Sequence, residues 1–293
     1  MSAWTVDAPT KLTLDGDVRR LRVRTVAGAV NVVASTEGPP RLEVSELDGP
    51  PLQVTLENDE LTVGYDDLGW PGFNWRSLAS ALENWAGRSW KRRAVVSLAV
   101  PPETAVELGA AVADVVISGI RGRVGAHGAS GETTVVRCSG PIEVNSVSGT
   151  VHAQRIAGNL KVHTVSGDVV VAEAGDGHVR GNTVSGSVTV DLDHRGETDV
   201  EVNTVSGEVA VRIPHPADAT VQIGSTSGEV SNAFDELKVS GGWGYKRISG
   251  RLGSGRGRLR VTTVSGGIAL LRRPPEPEDD APQDGIPEEG TSA

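Results

Sequence analysis

The sequence predicts an all-β protein, a parallel β-solenoid (β-helix-like) of about 18–22-residue coils, and three observations carry that prediction. The tetrapeptide Thr-Val-Ser-Gly recurs at 164–167, 183–186, 204–207 and 263–266, with the variants Ser-Val-Ser-Gly at 146–149 and Ser-Thr-Ser-Gly at 225–228. A period near 20 residues is the mark of stacked repeats, in which each coil buries its apolar side chains against the next. Around the tetrapeptide lies a wider pattern with alternating apolar positions, as in Val200, Val202, Val205, Gly207, Val209 and Val211. Alternation with period two belongs to strands rather than helices. Between Lys91 and Ala233 there is no Phe, Tyr or Trp, which suits a narrow core of stacked Val, Ile and Leu.

The same pattern recurs at Leu21, Val23, Val26, Gly28, Val30 and Val32, at Val106 to Ile117, and at Val124 to Val135. The alternation slips at polar pairs such as Asn145-Ser146, His163-Thr164 and Asn203-Thr204, so a bend is expected there. Reference positions then run in chain order through 113, 131, 149, 167, 186, 207, 228, a weak 244 and 266. A coil of that length accommodates roughly three short strands, each paired with its counterpart about 4.8 Å above and below. About nine coils are expected, right-handed by the general rule for parallel crossovers.

The Thr-Val-Ser-Gly-x-Val repeat, the Val100-Pro101-Pro102 lead-in and the closing segment Gly255 to Gly266 resemble the bacterial putative-adhesin β-strand-repeat family, a domain of unknown function common in actinobacteria. The resemblance covers most of residues 20–272. It implies the solenoid fold and an adhesin-like role, and it supplies no catalytic residues.

In chain order, four regions are expected. Residues 1–37 hold an N-terminal strand and a first coil. Residues 38–94 are an insertion: a strand near Arg41–Val44, a hairpin of Leu52–Leu56 and Leu61–Tyr65 about Glu57–Glu60, and an amphipathic Trp-rich helix. In that helix Trp75, Leu78, Leu82 and Trp85 fall at helical spacing, with Asn74 as N-cap and Arg88, Lys91, Arg92 and Arg93 at its far end. An open solenoid end needs a cap, and this helix can provide one. The same Trp/Leu face is the candidate binding site for a partner. Residues 95–272 are the regular repeats, with Phe234, Trp243 and Tyr245 expected to cover the far end. Residues 273–293 form an acidic tail whose composition does not support a core.

Composition limits the function classes. The net charge is −10, of which the seven acids of the tail account for −7, so no nucleic-acid partner is expected. No apolar segment is suited to secretion or membrane spanning near the start, which predicts a cytoplasmic protein without membrane-surface contact. Cys138 is expected as a buried thiol, and no Cys/His set has zinc spacing. Asp114, Glu132, Asp168, Glu208 and Glu229 follow the reference positions and read as a solvated acidic column; cation binding is the rival. The Ser column is expected outward, with hydroxyls bonded to the adjacent turn. Glu143, Lys161, Arg180 and Glu201 form a second outward row suited to ion pairing between coils.

The histidines fall in different phases of the repeat, and no clustered Asp with Arg or Lys marks a catalytic face. The reading is therefore a non-enzymatic scaffold or binding protein for a protein or glycan partner, with no metal and no cofactor. A carbohydrate-active enzyme and a self-assembling filament are the alternatives, and oligomeric state stays open.

Overall fold

The computed structural model describes residues 2–65, 92–175, 177–193, 199–242 and 244–274, together with the backbone of 196–197. All regular structure in this range is β, in twenty-five strands. The first seven are β1 (Ser2–Val6), β2 (Thr10–Thr13), β3 (Arg20–Ala34), β4 (Arg41–Asp48), β5 (Leu52–Glu57), β6 (Glu60–Gly64) and β7 (Arg93–Val100). Then come β8 (Ala105–Ser118), β9 (Val124–Ser130), β10 (Thr133–Val136), β11 (Ile142–Ser148), β12 (Val151–Gln154), β13 (Leu160–Ser166), β14 (Val169–Ala174), β15 (Val179–Ser185) and β16 (Val188–Leu192). The last are β17 (Gly196–Glu197), β18 (Asp199–Ser206), β19 (Val209–Ile213), β20 (Ala217–Ser225), β21 (Val230–Asn232), β22 (Lys238–Gly242), β23 (Tyr245–Leu252), β24 (Gly257–Ser265) and β25 (Ile268–Arg272).

Each regular coil contributes one strand to each of two parallel ladders. Ladder A stacks the first half of β3 on that of β8, then β9, β11, β13, β15 and β18. Ladder B stacks the second halves of β3 and β8, then β10, β12, β14, β16 and β19. The third side expected to be a strand is only a short turn in the regular coils. There Ile120, Cys138 and Ile156 point inward, and Ser139 N–H donates to Ile120 O (3.1 Å) and Ala157 N–H to Cys138 O (3.1 Å). Cys138 is thus the buried thiol that its surroundings in the sequence suggested.

Two sequence expectations need correction. The alternation does not slip at His163-Thr164 or its equivalents, because β13 runs unbroken from Leu160 to Ser166 and the turn follows at Ser-Gly. Thr164, Thr183, Thr204 and Thr263 are consequently buried, while Val184, Val205 and Val264 are exposed by 48–51 %. Two of the four hydroxyls bond locally, Thr183 Oγ1 and Thr204 Oγ1 donating to the carbonyls of Ser185 and Ser206 (3.4 Å each), whereas Thr164 Oγ1 and Thr263 Oγ1 are buried with no hydrogen-bond partner among the described residues. The following glycines form the inner wall of the turn. A Cβ on Gly149, whose φ is +142°, would overlap the carbonyl oxygen of Gly131.

Nor do coils stack in chain order throughout. The last coil, β24–β25, lies between β18–β19 and β20–β21: β24 pairs with β18 on one side and β20 on the other, and β25 pairs with β19 and β21. Position 266 therefore follows 207 in space, ahead of 228. The weak position 244 marks no coil; it lies at the turn of the antiparallel hairpin β22–β23, which extends ladder A past β20.

The opposite end is also interleaved. β6 and β7 pair with β3 in parallel, while β5 and β4 run antiparallel outside them and β1 and β2 form the outer edges. The hairpin expected about Glu57–Glu60 is β5–β6, and the strand expected at Arg41 is β4. Both are part of the stack. The helix expected over Trp75, Leu78, Leu82 and Trp85 lies outside the described residues, as do Trp243 and the tail from Pro275 onward. Phe234, expected to cover the far end, is buried there with Leu237, and the Arg272 guanidinium stands 5.0 Å above its ring. Tyr245 instead is exposed and lies over Gly224.

Candidate binding face

The outward face of ladder A carries the most ordered display of polar groups. Its first row is Arg22, Glu107, Gly125, Glu143, Lys161, Arg180, Glu201 and Arg260, each opposite the next in register. Arg180 Nη2 stands 2.7 Å from Glu201 Oε2, so the ion pairing expected along this row occurs. The hydrogen bonds from Arg180 hold the Glu201 carboxyl below the usual carboxylate range.

The second row, two residues further along each strand, is Gly109, His127, Asn145, His163, Asn182 and Asn203. Asn145 Nδ2 lies 3.2 Å from His127 Nδ1, Asn182 Nδ2 lies 3.3 Å from His163 Nδ1, and Asn203 Nδ2 donates to Asn182 Oδ1 at 3.2 Å. These contacts correct the view that the histidines share no phase: His127 and His163 occupy one column, two coils apart. His127 Nε2 also meets Glu107 Oε1 at 2.8 Å, and this hydrogen bond lowers the Glu107 pKa. Uniform strand spacing sets successive members of this row about 4.8 Å apart.

Beside this ladder runs the stripe of exposed valines, Val184, Val205 and Val264. Sequence reasoning missed it by placing these valines in the core. The signal was available in the threonine that precedes each one, since strict alternation from Leu160 or Val200 puts Thr, not Val, inside. Next comes the serine column, outward as expected. Ser166 Oγ lies 3.3 Å from Ser185 Oγ, and Ser148 Oγ donates to Ala129 O at 3.2 Å.

Two of the five acids of the acidic column accept backbone N–H groups. Asp114 Oδ1 accepts from Glu132 N–H (2.9 Å) and Asp168 Oδ1 from Ser187 N–H (2.8 Å). Among the described residues no three His, Cys, Asp or Glu side chains gather as a metal would require. One open depression, lined by Lys161, His178, Arg180, Asp199 and Glu201, has about 190 Å³ of space. Drug-sized ligand pockets occupy about 300–1,000 Å³, so this depression is a groove on the face rather than an enclosing site. Burial raises the Cys138 pKa, which keeps that thiol protonated and out of nucleophilic chemistry. What this surface offers is amide, imidazole, charge and valine contacts on a straight, rigid frame. The binding residues expected in the Trp/Leu helix, Trp75, Leu78, Leu82 and Trp85, lie outside the described residues.

Residues 193–271, from just before β17 into β25, match the family model described as Toastrack DUF4097. No curated protein matches the chain. Among solved structures, a putative adhesin from Bacteroides fragilis is 12 % identical with a TM-score of 0.49, covering 92 % of this chain and 97 % of its own. A putative cell adhesion protein from Clostridium sporogenes is 12 % identical with a TM-score of 0.28, covering 90 % and 100 %.

Proposed function

We propose that the protein is a non-enzymatic, adhesin-like binding scaffold whose ladder A face holds a protein or glycan partner. The observation that carries this reading is the pairing of two in-register features: the His/Asn row from His127 to Asn203 and the valine stripe at Val184, Val205 and Val264. Exposed valines at consecutive levels supply apolar contact area, and the amides beside them supply oriented donors and acceptors. Apolar patches rimmed by polar groups mark interaction surfaces.

The test is to probe glycan and protein arrays with the full chain and with the variant V184S/V205S/V264S. These side chains are exposed, so folding changes little. Binding that falls at least tenfold in the variant is expected. Equal binding by both chains, or cleaved glycan released from the array, would overturn the reading, the latter in favour of an enzyme.

A further inference from the structure

The end of ladder A formed by β24, β20, β23 and β22 differs in charge from the rest of the stack. Strand register places Arg258 and Arg251 on either side of Thr220, Arg260 and Ser249 on either side of Gln222, and Arg247 beside Gly224. Lys238 follows Ser249 on the outermost strand. All five basic side chains are exposed on one outward face, spanning roughly 15 Å at about 4.8 Å per strand. Two of the five border an acid on β18: Arg260 stands opposite Glu201, which is already bound by Arg180, and Arg258 stands opposite Asp199, which pairs with His178. Lys238, Arg247, Arg251 and Arg258 form no ion pair among the described residues. Several cations elsewhere on the stack are matched, among them Lys11 with Glu43, Arg20 with Glu60, Arg121 with Glu103 and Arg155 with Glu173. An unmatched basic face is out of character for a chain of net charge −10.

The complementary charge lies in the same chain. Between Glu276 and Glu289 there are seven acids and no Lys or Arg. The point of departure suits a return to this face. Arg272 pairs with Ile213 at the end of ladder B, and Arg273 is fixed by Leu192 O at 3.0 Å and Asp193 at 3.2 Å. From Ile213 the chain itself crosses to Ala217 and enters β20, the strand of Thr220, in a few residues. A segment leaving Pro274 has the same short crossing to make. At about 3.3 Å per extended residue, residues 276–289 can span roughly 45 Å, well beyond the width of the face.

We propose that the acidic segment Glu276–Glu289 docks in cis across the basic face of Lys238, Arg247, Arg251, Arg258 and Arg260. Tethering keeps its effective concentration in about the millimolar range, so weak charge contacts suffice at low salt, and exposed contacts of this kind are screened at high salt. The basic face lies on strands β24, β20, β23 and β22, which follow the last member of the His/Asn row, Asn203 on β18. The inference is independent of the partner proposed for that row.

Zero-length carbodiimide coupling of the full chain tests it, because the reagent joins a carboxylate to a lysine amine, with loss of water, only where the two already touch. Lys238 lies in the face and Lys11 at the opposite end of the stack. In monomeric protein at about 20 mM salt, peptides joining 276–289 to Lys238 are expected at least tenfold above those to Lys11, and lost at about 0.5 M salt. The variant R247S/R251S, which retains Lys238, should lower that yield several-fold with unchanged melting. Equal coupling to Lys11 and Lys238, coupling found only in covalent dimers, or no coupling of the segment would each overturn the proposal.

Discussion

The middle coils and the last coil are built from the same repeat, yet they reach their places differently. From β9 to β19 each coil stacks on the one before it in the chain, whereas β24–β25 crosses back to sit between β18–β19 and β20–β21. The repeat thus specifies the shape of a coil without specifying its neighbour. Neighbours are chosen by what differs among coils. Glu201 opposes Arg180 on one side; with β24 as its other neighbour it meets Arg260, whereas β20 would have offered Gln222 at that position of the row. The chain also needs β20 free on its far side, where β23 pairs with it antiparallel and closes the ladder with the β22 hairpin.

The largest effect that would separate these two regions comes from the glycine turns. A Cβ at Gly149 would overlap the Gly131 carbonyl oxygen, and one at Gly266 would overlap that of Gly207, in both cases rigid backbone. Either Gly→Ala variant should cost about 3 kcal/mol or more and lower Tm by roughly 10 °C. Hydrogen exchange distinguishes them. Gly149→Ala is expected to weaken protection on both sides of the middle of the stack, while Gly266→Ala should expose 217–272 and leave β9 to β16 protected. Uniform loss of protection in both would mean that the intercalated coil is no more separable than the others.

The charge row gives the next effect. Glu201→Lys places a cation between Arg180 and Arg260, replacing attraction by repulsion at two steps. Exposed pairs contribute about 0.2–1 kcal/mol each, so a loss of about 1 kcal/mol is expected, reduced at high salt. If the row helps to select β24 as neighbour, this variant should also raise exchange in β24 more than in β15. Equal exchange in the two strands would leave the hairpin β22–β23 as the main determinant of order.

Much of this was legible in the sequence. The inward valines, the β5–β6 hairpin, the outward serines and the buried Cys138 all follow from alternation, turn residues and polarity. The threonine–valine inversion was hidden because apolar type was weighted above position. A buried Thr204 hydroxyl satisfied by Ser206 O outweighs the preference of Val205 for the core once the strand runs on to Ser206. Coil order was hidden for a different reason. Interchangeable repeats leave it to long-range terms such as the Glu201 to Arg260 neighbourhood, which no local pattern contains. The candidate face was half legible: its charged row could be read from spacing, but the valine stripe could not while those residues were assigned inward.

Acid sensitivity should also differ between the two regions. Asp218, where β20 begins, accepts from Ser254 Oγ (2.6 Å), Arg256 N–H (2.9 Å) and Arg256 Nε (2.9 Å), and these bonds hold its carboxyl well below the usual range. A free Asp ionises near pH 3.9, so this clasp stabilises fully above that value and is lost as pH falls below it through the lowered folded value. Hydrogen exchange at pH 3 should therefore show β20 to β24 loosening before β11 to β16. Asp218→Asn should remove that difference by weakening the clasp at neutral pH already. A wild-type chain whose two regions loosen together on acidification would remove Asp218 from the account.

The smallest effect concerns the other turn of the coil, and it sets the middle coils against their own strain. Arg137, Arg155 and Glu173 recur at one position of successive coils with φ of 52–54°, where Gly119 has 76°. A left-handed backbone costs a side-chain-bearing residue about 1–2 kcal/mol, and Gly relieves this while adding about 0.5–1 kcal/mol of unfolded-state entropy. For Arg155 and Glu173 the strain is partly offset, since Arg155 Nε binds Glu173 Oε2 at 2.7 Å. Among the described residues Arg137 has only the Ser118 hydroxyl, 3.3 Å from Nη2. Arg137→Gly is therefore expected to stabilise by up to about 1 kcal/mol in urea unfolding, and Arg155→Gly to gain less because it also gives up an ion pair. A larger gain at 155 than at 137 would show that the Arg155–Glu173 contact adds nothing and that strain alone governs this turn.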